Sequence, residues 1–204
     1  MSQLAQELIT ENKRTKAKSL DLGNCGLTDL KKQVPELFDC VWLEELNLGE
    51  YYWSEVENKN LKTKNVGDIN KLRSNASAIL QVSNLEKIHL EDNDLKDVSF
   101  LANFEKLQTL TLANNQISDI RFLEKLTGLQ TLDLRNNQIS DYSFLEKLTG
   151  LQTLYLSNNQ ISDYSFLEKL TGLQTLYLRN NQISDIRFLE KLTGLQTLDL
   201  RNNQ

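Results

Sequence analysis

One sentence of sequence is written four times in succession and begun a fifth time. Blocks of 22 residues start at Leu107, Leu129, Leu151 and Leu173, and a further one opens at Leu195. The block from Leu129 reads LQTLDLRNNQISDYSFLEKLTG, and the four complete blocks differ from one another only at their fifth, seventh, fourteenth and fifteenth residues. A unit this short cannot bury its own apolar residues. It must stack on its neighbours, so the chain folds as a quasi-one-dimensional array with a continuous core.

Within a block the apolar spacing is LxxLxLxxNxI, as in Leu129, Leu132, Leu134, Asn137 and Ile139. The LxL segment fits a strand with both leucines inward, and strand alternation turns the residues beside them outward. Asn-Asn-Gln fits a turn. Ser140 and Asp141 suit the start of a short helical segment whose free N–H groups their side chains accept, after which Phe144, Leu145 and Leu148 return to the core. Asn93, Asn115, Asn137, Asn159, Asn181 and Asn203 recur at one position, predicting an internal ladder of amides bonded to turn backbone, since an unpaired buried amide costs about 1–3 kcal/mol.

This motif resembles the short leucine-rich repeats, and the likeness runs from Ala17 to Gln204. It implies an α/β solenoid: a horseshoe with a concave parallel β-sheet and short helical or 3-10 turns on the convex side. Degenerate units precede the clean ones, from Leu85 (with Ile88, Leu90, Asn93 and Leu95), from Leu43 (with Leu46 and Leu48) and from Ala17 (with Leu20, Leu22, Cys25 and Leu27). About eight strands at ~4.8 Å give a sheet roughly 34 Å across. Residues 1–16 read as an N-terminal helical cap, with Ser2 as N-cap and Leu4, Leu8 and Ile9 as its apolar stripe; 17–204 form the solenoid. The unit from Leu43 carries an insertion near 49–67, read as a loop leaving the C-terminal end of a strand with Tyr51, Tyr52 and Trp53 together. Those aromatics either bind a partner or cover the early repeats.

The phrases NNQISDI and LTGLQTL resemble bacterial internalin repeats, with Phe122, Phe144, Phe166 and Phe188 where that family commonly has proline. The opening KSLDLGNCGLTDL, followed by PELF and WLEELNL, resembles the N-terminal repeat region of bacterial Roco-type proteins, in which repeats precede a GTPase and a dimerising domain. That second likeness covers about residues 1–48 and implies a cytoplasmic regulatory or recognition segment.

A net charge of −5 and the lack of any basic run argue against nucleic acid or an acidic membrane as partner. The first residues lack the apolar core of a secretory signal, so a cytoplasmic protein is expected. Cys25 at the ladder position and Cys40 at the slot of Leu148 then read as buried thiols. No GxxxxGK[ST] or GxGxxG is present, and one histidine, His89, cannot build a multi-histidine site. Asp97, Asp119, Asp141, Asp163 and Asp185 recur once per unit and read as turn caps, because calcium needs six or more oxygens around one ion. No enzyme, metal or cofactor is expected. The sequon Asn75-Ala76-Ser77 has no secretory context.

Two varying positions fall on the concave strand face. The fifth runs His89, Thr111, Asp133, Tyr155, Tyr177, Asp199, and the seventh runs Glu91, Ala113, Arg135, Ser157, Arg179, Arg201. Tyr155 and Tyr177 side by side, with Asp133, Asp199 and three arginines around them, make a candidate contact patch for a protein or peptide, with His89 outward on its strand. The opposing reading is that Tyr suits strands and Arg aids solubility. The block from Leu195 stops after its strand, leaving Leu195, Leu198 and Leu200 uncovered. Either the polypeptide continues past Gln204 or this edge self-associates. The sequence thus leaves three roles: interaction scaffold, regulatory arm of a Roco-type GTPase, or homotypic assembly module.

Overall fold

The computed structural model describes the backbone of residues 2–54 and 59–204, and the side chains of these except 52–54, 59 and 60. Each unit contributes one three-residue strand. In chain order the strands are β1 (Ser19–Asp21), β2 (Glu45–Asn47), β3 (Tyr51–Ser54), β4 (Lys59–Lys62), β5 (Lys87–His89), β6 (Thr109–Thr111), β7 (Thr131–Asp133), β8 (Thr153–Tyr155), β9 (Thr175–Tyr177) and β10 (Thr197–Asp199). Among the described residues eight of them form one sheet in the order β1-β2-β5-β6-β7-β8-β9-β10, parallel throughout. The register is set by the inward leucines: Leu20, Leu46, Ile88, Leu110, Leu132, Leu154, Leu176 and Leu198 lie abreast. All but the last are buried.

From β6 onward the chain leaves each strand through Asn-Asn-Gln. The first asparagine of that turn, at 114, 136, 158, 180 and 202, has φ between 53° and 58°, left-handed backbone that asparagine tolerates better than most residues. The second points inward. Asn115 Nδ2 donates to the carbonyls of Leu90, Leu112 and Ala113, while its Oδ1 accepts from the N–H groups of Asn93 and Leu95. The expected ladder is therefore formed, and it ties each unit to the one before. Asn70 joins it, bridging Cys25 N, Leu27 N, Leu22 O and Leu48 O across the insertion.

Single 3-10 segments form the back, such as Ser143–Lys147 and Ser165–Lys169. Asp141 Oδ1 accepts from Ser143 N at 3.0 Å, and its equivalents Asp97, Asp119, Asp163 and Asp185 do the same, so these carboxylates cap turns. The fourteenth position packs inward at Ile120, Tyr142 and Tyr164, with Tyr142 stacked on Phe166 at 5.9 Å and Tyr164 on Phe188 at 6.0 Å, whereas Ile186 in the last complete block is exposed. The varied pairs on this side thus include core residues.

Helix α1 (Gln3–Thr15) starts at Ser2, whose hydroxyl accepts from Ala5 N. Ala5 and Ile9 are buried, and Leu4 and Leu8 are half-buried against the core. Asn12 fastens the helix to the β1 edge by donating to Ala17 O and Ser19 O, and Trp42 Nε1 donates to its Oδ1 at 2.9 Å. At the other edge Leu198 is 39% exposed.

The insertion departs from its reading as a loop. β3 and β4 pair antiparallel, Tyr51 opposite Lys62 and Tyr52 opposite Leu61, giving a hairpin at the C-terminal end of β2. Consecutive aromatics favour strand over coil, and the hairpin lets the inserted backbone satisfy itself. After the insertion Ile69 is exposed and Leu72 is buried. Cys25 and Cys40 are buried free thiols, and desolvation pushes the Cys25 thiol up to about 12.

Candidate protein-binding face

Parallel register converts the fifth position of every unit into one row. Asn47, His89, Thr111, Asp133, Tyr155, Tyr177 and Asp199 stand abreast on the side of the sheet opposite the leucines. The seventh position makes a second row two residues further along each chain. Over β7–β10 the two rows carry Asp133, Arg135, Tyr155, Tyr177, Arg179, Asp199 and Arg201.

The tyrosines stack, with ring centroids 5.0 Å apart and planes 29° apart. Arg135 is engaged twice. Its guanidinium pairs with Asp133 on its own strand, and its Cζ lies 5.0 Å from the Tyr155 ring. Arg201 repeats the first of these contacts with Asp199, at 2.8 and 2.7 Å, which holds the Asp199 carboxyl down to about 2. An Asp followed two positions later by Arg is thus a unit in which the carboxylate orients the arginine.

Depth divides the patch. Tyr155 and Asp133 are 6% and 1% exposed and form its floor, and burial pushes the Tyr155 phenol up. Asp199 is also buried, Tyr177 and Arg135 are half-buried, and Arg179 and Arg201 are exposed. His89 faces the concave side as expected but is fully buried there, with Nδ1 2.9 Å from Thr111 Oγ1 and Nε2 3.3 Å from Glu45 Oε1. Side chains on strands less than 5 Å apart shield one another, and His89 has a neighbour on each side. The histidine bond in turn holds the Glu45 carboxyl low. His89 is a packing residue here.

Tyr51 is 38% exposed and shares a cleft with Glu91, Ala113, Asn114, Arg135 and Asn136, so the hairpin borders the same face. The side chains of Tyr52 and Trp53 lie outside the described residues. Variation between units marks only part of this face, and constant positions contribute too. Thr153 and Thr175 line the same side, with Gln152 and Gln174 exposed beside them. Strand alternation from Tyr155 and Tyr177 would have identified the threonines.

Among the described residues no three His, Cys, Asp or Glu side chains converge to hold a metal ion, and no helix is long and apolar enough to cross a membrane.

A parallel sheet of LxL strands, an amide ladder and 3-10 backs define a leucine-rich-repeat solenoid. The chain belongs to that family: its description, Leucine Rich repeats (2 copies), matches residues 83–125, 127–169 and 171–204. Among solved structures, internalin C2 (inlC2) of Listeria monocytogenes is 28% identical, with a TM-score of 0.74 over 98% of this chain and 93% of that one. The internalin inlF of the same organism is 27% identical, with a TM-score of 0.68 over 96% of this chain; this chain spans 64% of its length. A leucine-rich-repeat protein of Leptospira interrogans, 24% identical, shares the fold, with a TM-score of 0.63 over 100% of this chain and 59% of that one. No curated protein matches the sequence. Leucine-rich-repeat proteins generally mediate protein–protein interaction, and their fold is typically a noncatalytic scaffold.

Proposed function

We propose that this chain is a noncatalytic scaffold that binds a protein or an extended peptide on its concave face, over β7–β10, with Tyr51 on the hairpin as an outlying contact. The observation that carries this reading is the stacked tyrosine pair flanked by oriented arginines. Tyr and Arg dominate binding hot spots because they offer large or multidentate contacts at small entropic cost, and here the floor is already rigid. We assign the protein to the cytoplasm, on its two buried thiols.

Tyr177 is the better probe, because Tyr155 is buried and its truncation also disturbs the floor. Tyr177→Ala is expected to weaken binding of a partner by about 1 kcal/mol or more, with little change in melting temperature. Calorimetric titration of a selected peptide against both proteins checks it. Equal affinities would remove the concave face from the function.

A further inference from the structure

We infer that Arg179 is the anchor of this face and that it takes a carboxylate side chain, Asp or Glu, of an extended acidic peptide; the inference rests on the concave-face reading above. Three strands of the patch place arginine at the seventh position, but they do not place it alike. On β7 and β10 the residue two before it is aspartate, and the guanidinium closes onto that carboxylate. On β9 the residue two before Arg179 is Tyr177. Among the described residues the Arg179 guanidinium accordingly makes no hydrogen bond or ion pair, although its charge helps to lower the Asp199 carboxyl, behind the contribution of Arg201.

Local charge follows from this. Over β7–β10 the two rows carry Asp133 and Asp199 against Arg135, Arg179 and Arg201, so one positive charge is in surplus on a chain whose net charge is −5. The surplus sits at an exposed residue two positions after the half-buried Tyr177. Next to it, Ser157 is small and buried, between two arginine positions roughly 10 Å apart. A guanidinium fork matches a carboxylate with two parallel N–H donors. A phosphate dianion is the poorer match, because the arginines on either side already hold their own aspartates.

The repeat supplies its own silencing variant. Tyr177→Asp makes β9 read Asp-Leu-Arg, as β7 and β10 do, so Arg179 gains a partner on its own strand without a foreign element in the fold. The test starts with peptides selected from a phage-displayed random library on the unaltered chain, synthesised and measured by fluorescence polarisation. The expected result is an Asp or Glu at a fixed position in the selected peptides, an affinity loss of about tenfold or more with Arg179→Gln, and a loss with Tyr177→Asp that exceeds the loss with Tyr177→Ala, because both remove the ring and only the first also occupies Arg179. Replacing the peptide's acid by its amide should cost the unaltered chain as much and the Arg179→Gln chain almost nothing. Peptides that respond to Tyr177→Ala but carry no fixed acid and bind Arg179→Gln normally would overturn this inference and leave the concave-face reading standing. Peptides indifferent to Tyr177→Ala overturn both, as does a selection that enriches none. Tighter binding when the acid is exchanged for phosphoserine would overturn the choice of carboxylate.

Discussion

Asn115→Ala is expected to lower the unfolding free energy by about 3 kcal/mol, more than the same change at any comparable surface residue, because of what the amide leaves behind. Five backbone groups bond to Asn115, and two keep another donor when it goes: Leu112 O still accepts from Asn137 Nδ2, and Ala113 O from Asp92 N. Asn93 N, Leu95 N and Leu90 O lose the bond to this side chain inside the core, at about 1 kcal/mol or more each. Asn159 is the matched control. It donates to Leu134 O, Leu156 O and Ser157 O, but each of these keeps a second donor, in Asn137, Asn181 and Asn136 N respectively, and its Oδ1 accepts no hydrogen bond among the described residues. Asn159→Ala should therefore cost about 1 kcal/mol or less. Urea unfolding followed by circular dichroism measures both, and equal losses at the two positions would show that accepted N–H groups are not what the ladder contributes.

The ladder was legible because the repeat displays it six times over, and periodicity averages out local noise. Where the period breaks, so does the reading. Asn70 does for the inserted unit what Asn137 does for a clean one, and the pair Asn70 and Leu72 carries the same N-x-apolar spacing as Asn137 and Ile139; the insertion after Leu48 displaced that signal. The hairpin was hidden for a related reason. Tyr51, Tyr52 and Trp53 favour strands individually, but their antiparallel partner exists only within the insertion. Direction was easier to read than depth. Alternation places His89, Asp133 and Tyr155 on the concave side, yet it cannot say that each is walled in by the side chains on the neighbouring strands. By position in the repeat Arg179 is one arginine of three. Its separate status also lies in the sequence, in the tyrosine two residues before it, and emerges once the Asp–Arg pairs on β7 and β10 are seen to close.

Glu91→Gln is expected to remove a fall in stability that the unaltered protein shows between about pH 5 and pH 8. Glu91 opens the seventh row, but the base of the hairpin closes over it. It is 2% exposed, its Oε2 accepts no hydrogen bond among the described residues, and the backbone of Gly49 packs so closely that a Cβ there would come within 2.5 Å of that oxygen. Burial is the main reason its carboxyl is pushed up to about 8; the charges of Asp133 and Asp92 add to the shift, and a bond with Thr111 opposes it. The folded chain therefore holds a proton that the unfolded chain releases above pH 4.5. Proton uptake on folding means that the contribution of Glu91 to stability is greatest below pH 4.5 and declines as pH rises toward 8, with a limiting slope of about 1.4 kcal/mol per pH unit, and levels off above it. Asp92 is raised by burial as well and contributes in the same direction. Gln retains the size of Glu91 and cannot ionise. At pH 8 the variant should thus be the more stable protein by about 2 kcal/mol or more, while at pH 5 the two should nearly coincide. Urea midpoints at half-unit pH steps decide the matter: parallel curves for the two proteins would mean that Glu91 is ionised in the folded state and has found a partner.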